Sequence, residues 1–157
     1  MQLENLEKSF LEQIDQNEGI IHKVIQLYVD DEEQRKDVYQ EVLCQAWKSF
    51  PNFRKEAKFS TWLYKIALNT VLTIKKKSRK LKVEISVEQE PGVSQDDHEI
   101  LFHIIKRLGE VEKMLITLHF DGYKNLEIAE ITGMTSNHVN VKLHRIKQSI
   151  IAAFKKY

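Results

Sequence analysis

Residues 122–147 have the spacing of a helix-turn-helix, in which two short helices pack across a sharp turn. Ala129 is small enough to let the helices touch, Gly133 permits the turn, and Val139 anchors the second helix on the first. The second helix opens with polar and basic side chains that can meet base edges and phosphates, which predicts DNA binding. The alternative is a helical hairpin used for protein packing. The groove-facing positions are predicted to be Ser136, Asn137, His138, Asn140, Val141, Lys142, His144 and Arg145.

The composition favours an all-α protein, because Lys, Glu, Leu, Ile and Gln abound while the 157 residues include only two prolines and five glycines. No apolar run approaches the ~20 residues that span a bilayer, so no stable membrane insertion is expected. The acidic start is not a secretory signal. The single cysteine, Cys44, cannot form an internal disulfide, and a cytoplasmic location is therefore expected. We expect Cys44 to be a core thiol and not a nucleophile.

The near-neutral net charge of +1 conceals alternating blocks of charge. Residues 1–46 carry eleven acids and four bases, and residues 47–82 carry one acid and eleven bases. Residues 83–112 carry eight acids and two bases, and residues 113–157 carry three acids and seven bases. Two basic regions predict two separate contacts with a polyanion, although any single charge run can also be a solvated helix face.

Hydrophobic periodicity predicts helices at residues 19–28, 34–50, 60–76, 99–108 and 110–120, followed by the helix-turn-helix. Residues 83–98 contain Pro91, Gly92 and clustered acids, which predicts a flexible acidic linker between helical domains at 1–82 and 99–157. In the helix after residue 60, one face should be buried (Leu63, Ile66, Ala67, Thr70, Ile74) and the opposite face exposed (Thr61, Lys65, Leu68, Asn69, Leu72, Lys76). The helix before it should bury Val38, Val42, Leu43, Ala46, Trp47 and Phe50, and the last helix Val139, Leu143, Ile146, Ile150 and Phe154.

The acidic cluster at residues 30–33 has two interpretations. Carboxylates can bind a metal ion, but acids before a helix also stabilise its N-terminus through the helix dipole, and we favour that role because no His or Cys lies beside them. The histidines are scattered, and the sequence has no glycine-rich phosphate loop, nucleophile elbow or paired-cysteine motif. We therefore expect no cofactor, no metal and no enzymatic activity.

Residues 53–76 interleave aromatic rings with cations. Cations can hold a sugar-phosphate backbone while rings stack on unpaired bases, each base–ring stack contributing ~1–3 kcal/mol. For each ring taken singly, and for Phe59 and Trp62 above all, packing in the core is the favoured interpretation. The rings are Phe53, Phe59, Trp62 and Tyr64, and the cations are Arg54, Lys55, Lys58 and Lys65.

Three motifs in this order resemble sigma factors of bacterial RNA polymerase, specifically the extracytoplasmic-function (ECF) group of the sigma-70 family. Asp37, Gln40 and Glu41, followed by Trp47, resemble the Asp-x-x-Gln-Glu pattern of region 2.2. Residues 59–69 resemble the Phe-x-Thr-Trp-Leu-x-x-Ile-Ala-x-Asn pattern of regions 2.3–2.4, and residues 126–145 resemble region 4.2. The resemblance covers residues 17–82 and 99–154.

The resemblance implies a role for each group of residues. The β′ clamp of core RNA polymerase would bind Asp37, Gln40, Glu41 and Trp47. The −10 promoter element would be bound and opened by Asn52, Phe53, Arg54, Lys58, Thr61, Trp62, Lys65, Asn69 and Lys76. The −35 element would be read by Ser136, Asn137, His138, Asn140, Lys142, His144 and Arg145. The C-terminal domain would also touch the polymerase β flap, and an anti-sigma factor is an implied partner.

The sequence departs from the family at the residues that choose a promoter. Leu68 stands where Arg is common, and residues 137–142 replace a common Gly-Thr-Val-x-Ser-Arg run. Lys142 lacks the bidentate fork of Arg, so no promoter sequence is inferred. Two other functions stay open: a stand-alone helix-turn-helix regulator that binds a symmetric operator as a dimer, and a metal-dependent enzyme using residues 30–33.

Overall fold

The computed structural model describes residues 1–81 and 96–157, and within these ranges it contains α-helices, one short 3-10 turn and no β-strand. The predicted all-α class is confirmed, whereas most of the predicted linker lies outside the described residues. The chain divides into two compact units, Met1–Val83 and Glu84–Tyr157. The helices are α1 (Gln2–Tyr28), α2 (Glu32–Ser49), α3 (Phe59–Leu81), α4 (Asp97–Arg107), α5 (Glu110–Phe120), α6 (Asn125–Thr132) and α7 (Ser136–Phe154), and the 3-10 turn is Phe50–Asn52.

The N-terminal unit is a three-helix bundle in which α1, α2 and α3 pack against one another in every pairing. Side chains from all three helices have no exposed surface at its centre, namely Ile21, Val42, Leu63, Ala67 and Val71. Removing such apolar surface from water stabilises a fold by about 25 cal/mol per Å². The core therefore fixes the faces that α2 and α3 turn toward solvent.

The acidic cluster at residues 30–33 stabilises the N-terminus of α2, as predicted. The side chain of Asp31 is the N-cap and accepts a hydrogen bond from the backbone N–H of Gln34 at 3.1 Å, while Glu32 and Glu33 lie in the first turn. Both features stabilise the positive end of the helix dipole. Among the described residues, no group of three His, Cys, Asp or Glu side chains is placed to hold a metal ion.

Helix α1 is longer than the predicted stripe at residues 19–28. It begins at Gln2 and changes direction at Asn17, whose backbone is non-helical (φ −125°, ψ 15°) and whose side-chain amide donates to the carbonyl of Gln13 at 2.8 Å. Phe10 and Ile14 are buried in this first half. Sequence periodicity missed the segment because the kink interrupts the helical phase and acids dilute the apolar stripe.

The C-terminal end of α1 is held by cations from the two neighbouring helices. Lys75 of α3 donates to the carbonyl of Tyr28 at 3.0 Å, and its ammonium lies 5.6 Å from the Tyr28 ring centre. Arg35 of α2 donates to the carbonyl of Val29 at 2.7 Å. These bonds satisfy carbonyls that the helix leaves without an internal partner. Lys75 therefore stabilises the three-helix bundle by holding the end of α1 against α3.

Replacing Lys75 with methionine is expected to lower the free energy of unfolding of the N-terminal unit by about 1–2 kcal/mol, because a charge-assisted hydrogen bond is lost while the aliphatic stem remains. Both tryptophans of the chain lie in this unit, so their fluorescence during urea titration reports its unfolding specifically. Lys76→Met is the matched control, since Lys76 is exposed. Equal midpoints for the two variants would contradict the capping role of Lys75.

The C-terminal unit packs α4, α5 and α6 against α7. Its most buried side chains come from three helices and are Leu115, Ile116, Leu118, Ile128 and Val139. Helix α6 ends at Gly133, whose positive φ of 76° is the left-handed conformation that glycine adopts without strain. Helix α7 then begins behind the N-cap Thr135, which accepts from the backbone N–H of His138 at 3.2 Å. The predicted helix-turn-helix is confirmed.

Several burial predictions were wrong. Cys44 is exposed, because it follows the buried Val42 by two positions and so points about 200° away from it around the helix. Leu43, Trp47, Ile66, Ile74 and Phe154 are half-buried where full burial was predicted. Helix α4 begins at Asp97, two residues before the predicted start at Glu99, because Asp96 caps it.

The predicted outer face of α3 was wrong at Thr61 and Leu68, which are 6% and 3% exposed. These two residues share a second buried stripe with Tyr64 and Val71, at spacings of three, four and three residues. Helix α3 packs against both α1 and α2, so it needs two buried stripes where one was predicted. The helix also begins one residue earlier than predicted, since the carbonyl of Lys58 accepts its first bond, from Trp62.

Candidate nucleic-acid and protein interfaces

Helix α7 presents a polar face to solvent. Val139 and Leu143 are buried against the rest of the unit, and the side chains between them point outward. The outward set contains amide, imidazole and guanidinium groups, which donate to or accept from base edges and phosphates. Of the predicted groove-facing residues, Asn137, His138, Asn140, Val141, His144 and Arg145 are exposed, and Ser136 and Lys142 are half-buried.

One contact on this face involves a residue that sequence reasoning missed. The side-chain Nδ2 of Asn125, the first residue of α6, donates to Oδ1 of Asn140 at 3.3 Å. The two asparagines are fifteen residues apart, so no helical spacing relates them. The bond places α6 next to the candidate DNA-reading side chains of α7.

The aromatic rings predicted to interleave with cations form a contiguous cluster in the N-terminal unit. Trp62 lies 5.1 Å from both Phe53 and Phe59, measured between ring centres, and Phe50 contacts all three rings. Phe59 is buried, as its core interpretation requires, whereas Phe53 and Trp62 keep part of their surface exposed. Tyr64 is only 2% exposed and belongs to the core. Phe53 and Trp62 are therefore the rings of this cluster with surface available for a base.

Exposed cations lie close in the sequence to the two partly exposed rings. Arg54, Lys55 and Lys58 are exposed on the segment that connects the 3-10 turn with α3. On α3, Lys65, Asn69 and Lys76 are exposed at spacings of four and seven residues, which places them along one helical stripe. The buried Thr61 does not join them. Trp62 lies on the same stripe of α3 as Lys65 and Asn69, and the exposed loop cations follow Phe53 in the sequence.

Two of the four residues predicted to bind polymerase, Asp37 and Glu41, line an open groove of about 530 Å³ between α2 and α3. Asp37 and Glu41 contribute carboxylates from α2, and Asn69 and Lys77 contribute an amide and an ammonium from α3. Gln40 is exposed on the same helix as the two acids. The structure therefore brings Asn69, predicted to bind DNA, beside Asp37 and Glu41.

Trp47, the fourth residue predicted to bind polymerase, packs against an aromatic ring of α1. Its ring lies 5.1 Å from that of Phe10 in the first half of α1, and the tilt between them is 59°. Phe10 in turn lies 5.2 Å from Phe50. Trp47 thus joins α1 to the aromatic cluster and is half-buried.

Among the residues that the structure describes, the pKa values of Tyr39 and His119 depart from their usual values, and both side chains lie outside the residues predicted to bind DNA or polymerase. The pKa of Tyr39 is raised by burial, and further by the negative charge of Glu18 and by donation from the phenol to that carboxylate at 3.3 Å. The ring of His22 stacks on Tyr39 at 4.8 Å. The pKa of His119 is lowered by burial and by the charge of Lys147. Neither side chain belongs to the faces of α3 or α7 that are predicted to bind DNA.

No helix in the described ranges is both long and apolar enough to cross a membrane. The geometry instead defines a two-unit helical protein with a helix-turn-helix in one unit and an aromatic-cationic surface in the other. Sigma-70 region 2 matches residues 13–81, and Sigma-70, region 4 matches residues 98–150.

Proteins with similar sequences are sigma factors as well. The ECF RNA polymerase sigma-E factor of Escherichia coli is 31% identical, over 73% of this chain and 70% of that protein. RNA polymerase sigma factor SigV of Bacillus subtilis is 29% identical, over 75% of this chain and 74% of that protein. The chain belongs to the ECF group of the sigma-70 family of RNA polymerase sigma factors. Sigma factors as a class are not enzymes.

A solved structure shows the same fold. The sigma factor RpoE of Bartonella quintana, crystallised in complex with the anti-sigma factor NepR, superimposes with a TM-score of 0.70 at 17% identity. The superposition covers 96% of this chain and 97% of that one. The alternative of a stand-alone helix-turn-helix regulator is not favoured.

Proposed function

We propose that this sigma factor directs core RNA polymerase to bipartite promoters by dividing the work between its two units. In the N-terminal unit, Asp37, Gln40 and Glu41 of α2 bind the β′ clamp, and residues 52–58 together with the exposed stripe of α3 bind and open the −10 element. In the C-terminal unit, α7 reads the −35 element and the unit touches the β flap. Family membership supports action in the cytoplasm with the polymerase.

The observation that carries this proposal is the opposite chemistry of the exposed faces within one small bundle. The solvent face of α2 is acidic and suits a protein partner, while the loop before α3 is cationic and bordered by half-exposed rings. Cations beside partly exposed rings suit single-stranded DNA. A regulator that only binds duplex DNA has no need of that second surface.

An anti-sigma factor is proposed as a further partner. Its support is the RpoE structure, in which a sigma factor of the same fold is held by NepR. Affinity purification of the tagged chain from its source cells, followed by mass spectrometry of the proteins that stay bound, tests this part of the proposal separately.

In vitro transcription tests the main proposal. Core polymerase alone and core polymerase with the purified chain are compared on fragments of the source genome, and new RNA start sites are mapped. We expect start sites that need the chain, and co-purification of the chain with core. A chain that adds no start site, fails to bind core and instead binds a symmetric operator as a dimer would establish the stand-alone regulator.

Replacing Asn137 and Lys142 together with alanine is expected to weaken −35 recognition by about tenfold, because a base contact contributes ~1–3 kcal/mol of discrimination. Binding to core polymerase should not change. The measurement pairs transcription from a chain-dependent promoter with a core-binding titration. Loss of both activities would contradict a specific reading role and indicate that the C-terminal unit had unfolded.

A further inference from the structure

Asn140 is the outward-facing residue of α7 that is joined to α6 by a side-chain hydrogen bond. It follows the buried Val139, which anchors α7, and its Oδ1 accepts from Nδ2 of Asn125 at 3.3 Å. Asn140 is exposed and Asn125 is half-buried. The bond therefore orients an amide that belongs to the face proposed to enter the DNA.

The orientation of this amide decides which base it can read. An asparagine reads adenine by using both ends of its amide, with the oxygen accepting from N6 and the nitrogen donating to N7. Because its oxygen is turned toward Asn125, the amide of Asn140 turns its nitrogen, with two N–H groups, away from α6. Guanine presents two acceptors, O6 and N7, to the major groove. A donor-only amide fits guanine better than adenine.

We propose that Asn125 is a positioning residue that sets base specificity in the −35 element. It holds the amide of Asn140 with its nitrogen toward the DNA, and so makes guanine the preferred base at the position that Asn140 contacts. This inference rests on the proposed reading of the −35 element by α7. It predicts that Asn125, which lies on α6 and not on α7, changes the preferred base without contacting that base.

Two substitutions of Asn125 distinguish the possible orientations of the Asn140 amide. Asn125→Ala frees both ends of the Asn140 amide and should shift the preference toward adenine. Asn125→Asp supplies a carboxylate that can only accept, so it attracts the nitrogen of Asn140 and leaves the oxygen toward the DNA. That variant should favour bases that present an amino group, adenine or cytosine.

The probe is a library of duplex DNA with two randomised six-base-pair blocks at promoter spacing, transcribed by polymerase holoenzyme and sequenced after selection. Asn140→Ala first identifies the contacted position as the one whose base preference disappears. In the unaltered protein we expect guanine to exceed adenine there by about tenfold, the factor of a good base contact. Both Asn125 variants should bring that ratio below one.

Leu126→Asp is the charge control, since Leu126 is 74% exposed and adjoins Asn125. It should lower transcription from all library members alike and leave the preferred base unchanged. The inference is overturned if guanine stays preferred in both Asn125 variants, or if Leu126→Asp shifts the base as Asn125→Asp does. If the unaltered protein enriches no −35 block, the proposed reading role of α7 fails as well. If a −35 block is enriched but Asn140→Ala changes no position in it, only the inference about Asn125 is overturned. Thermal unfolding of every variant, followed by far-UV circular dichroism, verifies that each one is folded.

Discussion

Replacing Asp37 and Gln40 together with alanine is expected to weaken binding to core RNA polymerase by about a hundredfold. A hydrogen bond to a charged group contributes about 1.5–3 kcal/mol and a neutral one about 1 kcal/mol, and a loss of about 2.7 kcal/mol is a factor of about one hundred. Both side chains are exposed on α2, and the core of the bundle lies on the other side of the helix. The measurement is a titration of labelled core polymerase with each variant.

The matched control is Glu12→Ala with Gln16→Ala. It also removes one acid and one amide from exposed positions of the N-terminal unit, but on α1. This variant should bind core as the unaltered protein does. Equal affinity of the Asp37/Gln40 variant and the control would contradict the proposed clamp contact.

Cys44 supplies an independent readout of the same interface. It lies seven residues after Asp37, close to two helical turns, and is exposed on the same face of α2. Core polymerase should therefore slow alkylation of Cys44, measured by mass spectrometry of its peptide. The Asp37/Gln40 variant should lose this protection at a core concentration that protects the unaltered protein.

Local sequence signals predicted the parts of this fold that are set by neighbours along the chain. The cap at Asp31, the turn at Gly133 and the burial of Val139 each depend on residues within a few positions, and the structure has all three. The same holds for the family resemblance, whose motifs are short and contiguous. The cap at Asp31, the turn at Gly133 and the burial of Val139 follow from helix geometry and capping chemistry alone.

The features that sequence missed depend on residues far apart in the chain. Phe10 packs on Trp47, and Asn125 bonds Asn140, because the bundle brings different helices together. Periodicity identifies a buried stripe but not how many helices cover it, which is why Leu68 was placed on the wrong face of α3. Cys44 is exposed for a local reason, because it lies about 200° around α2 from the buried Val42.

Asn69 lies between the surface proposed to bind polymerase and the surface proposed to bind DNA. The family resemblance assigns it to the −10 element, yet it lines the groove between α2 and α3 with Asp37 and Glu41. A side chain at that boundary can meet either partner. Comparing Asn69→Ala in the core-binding titration and in the promoter-opening assay assigns it to one of them.

Replacing Arg54 and Lys58 together with glutamine is expected to reduce binding of single-stranded −10 DNA to the holoenzyme by about a hundredfold. Both cations are exposed, Arg54 directly after Phe53 and Lys58 four residues before Trp62, and each is proposed to hold a phosphate, at about 1.5 kcal/mol per charge-assisted contact. Glutamine keeps a polar side chain of similar length, so the change removes charge and little packing.

The dependence of this binding on salt distinguishes lost phosphate contacts from lost structure. Each phosphate contact with a single strand contributes about 0.7 to the slope of log affinity against log salt concentration, so the slope should fall by about 1.4. The probe is a non-template-strand oligonucleotide of a promoter mapped by in vitro transcription. Lys48→Gln is the control, because Lys48 is exposed in the same unit but lies on α2. An unchanged slope in the Arg54/Lys58 variant, with affinity lost, would mean that these cations position the loop and do not contact the strand.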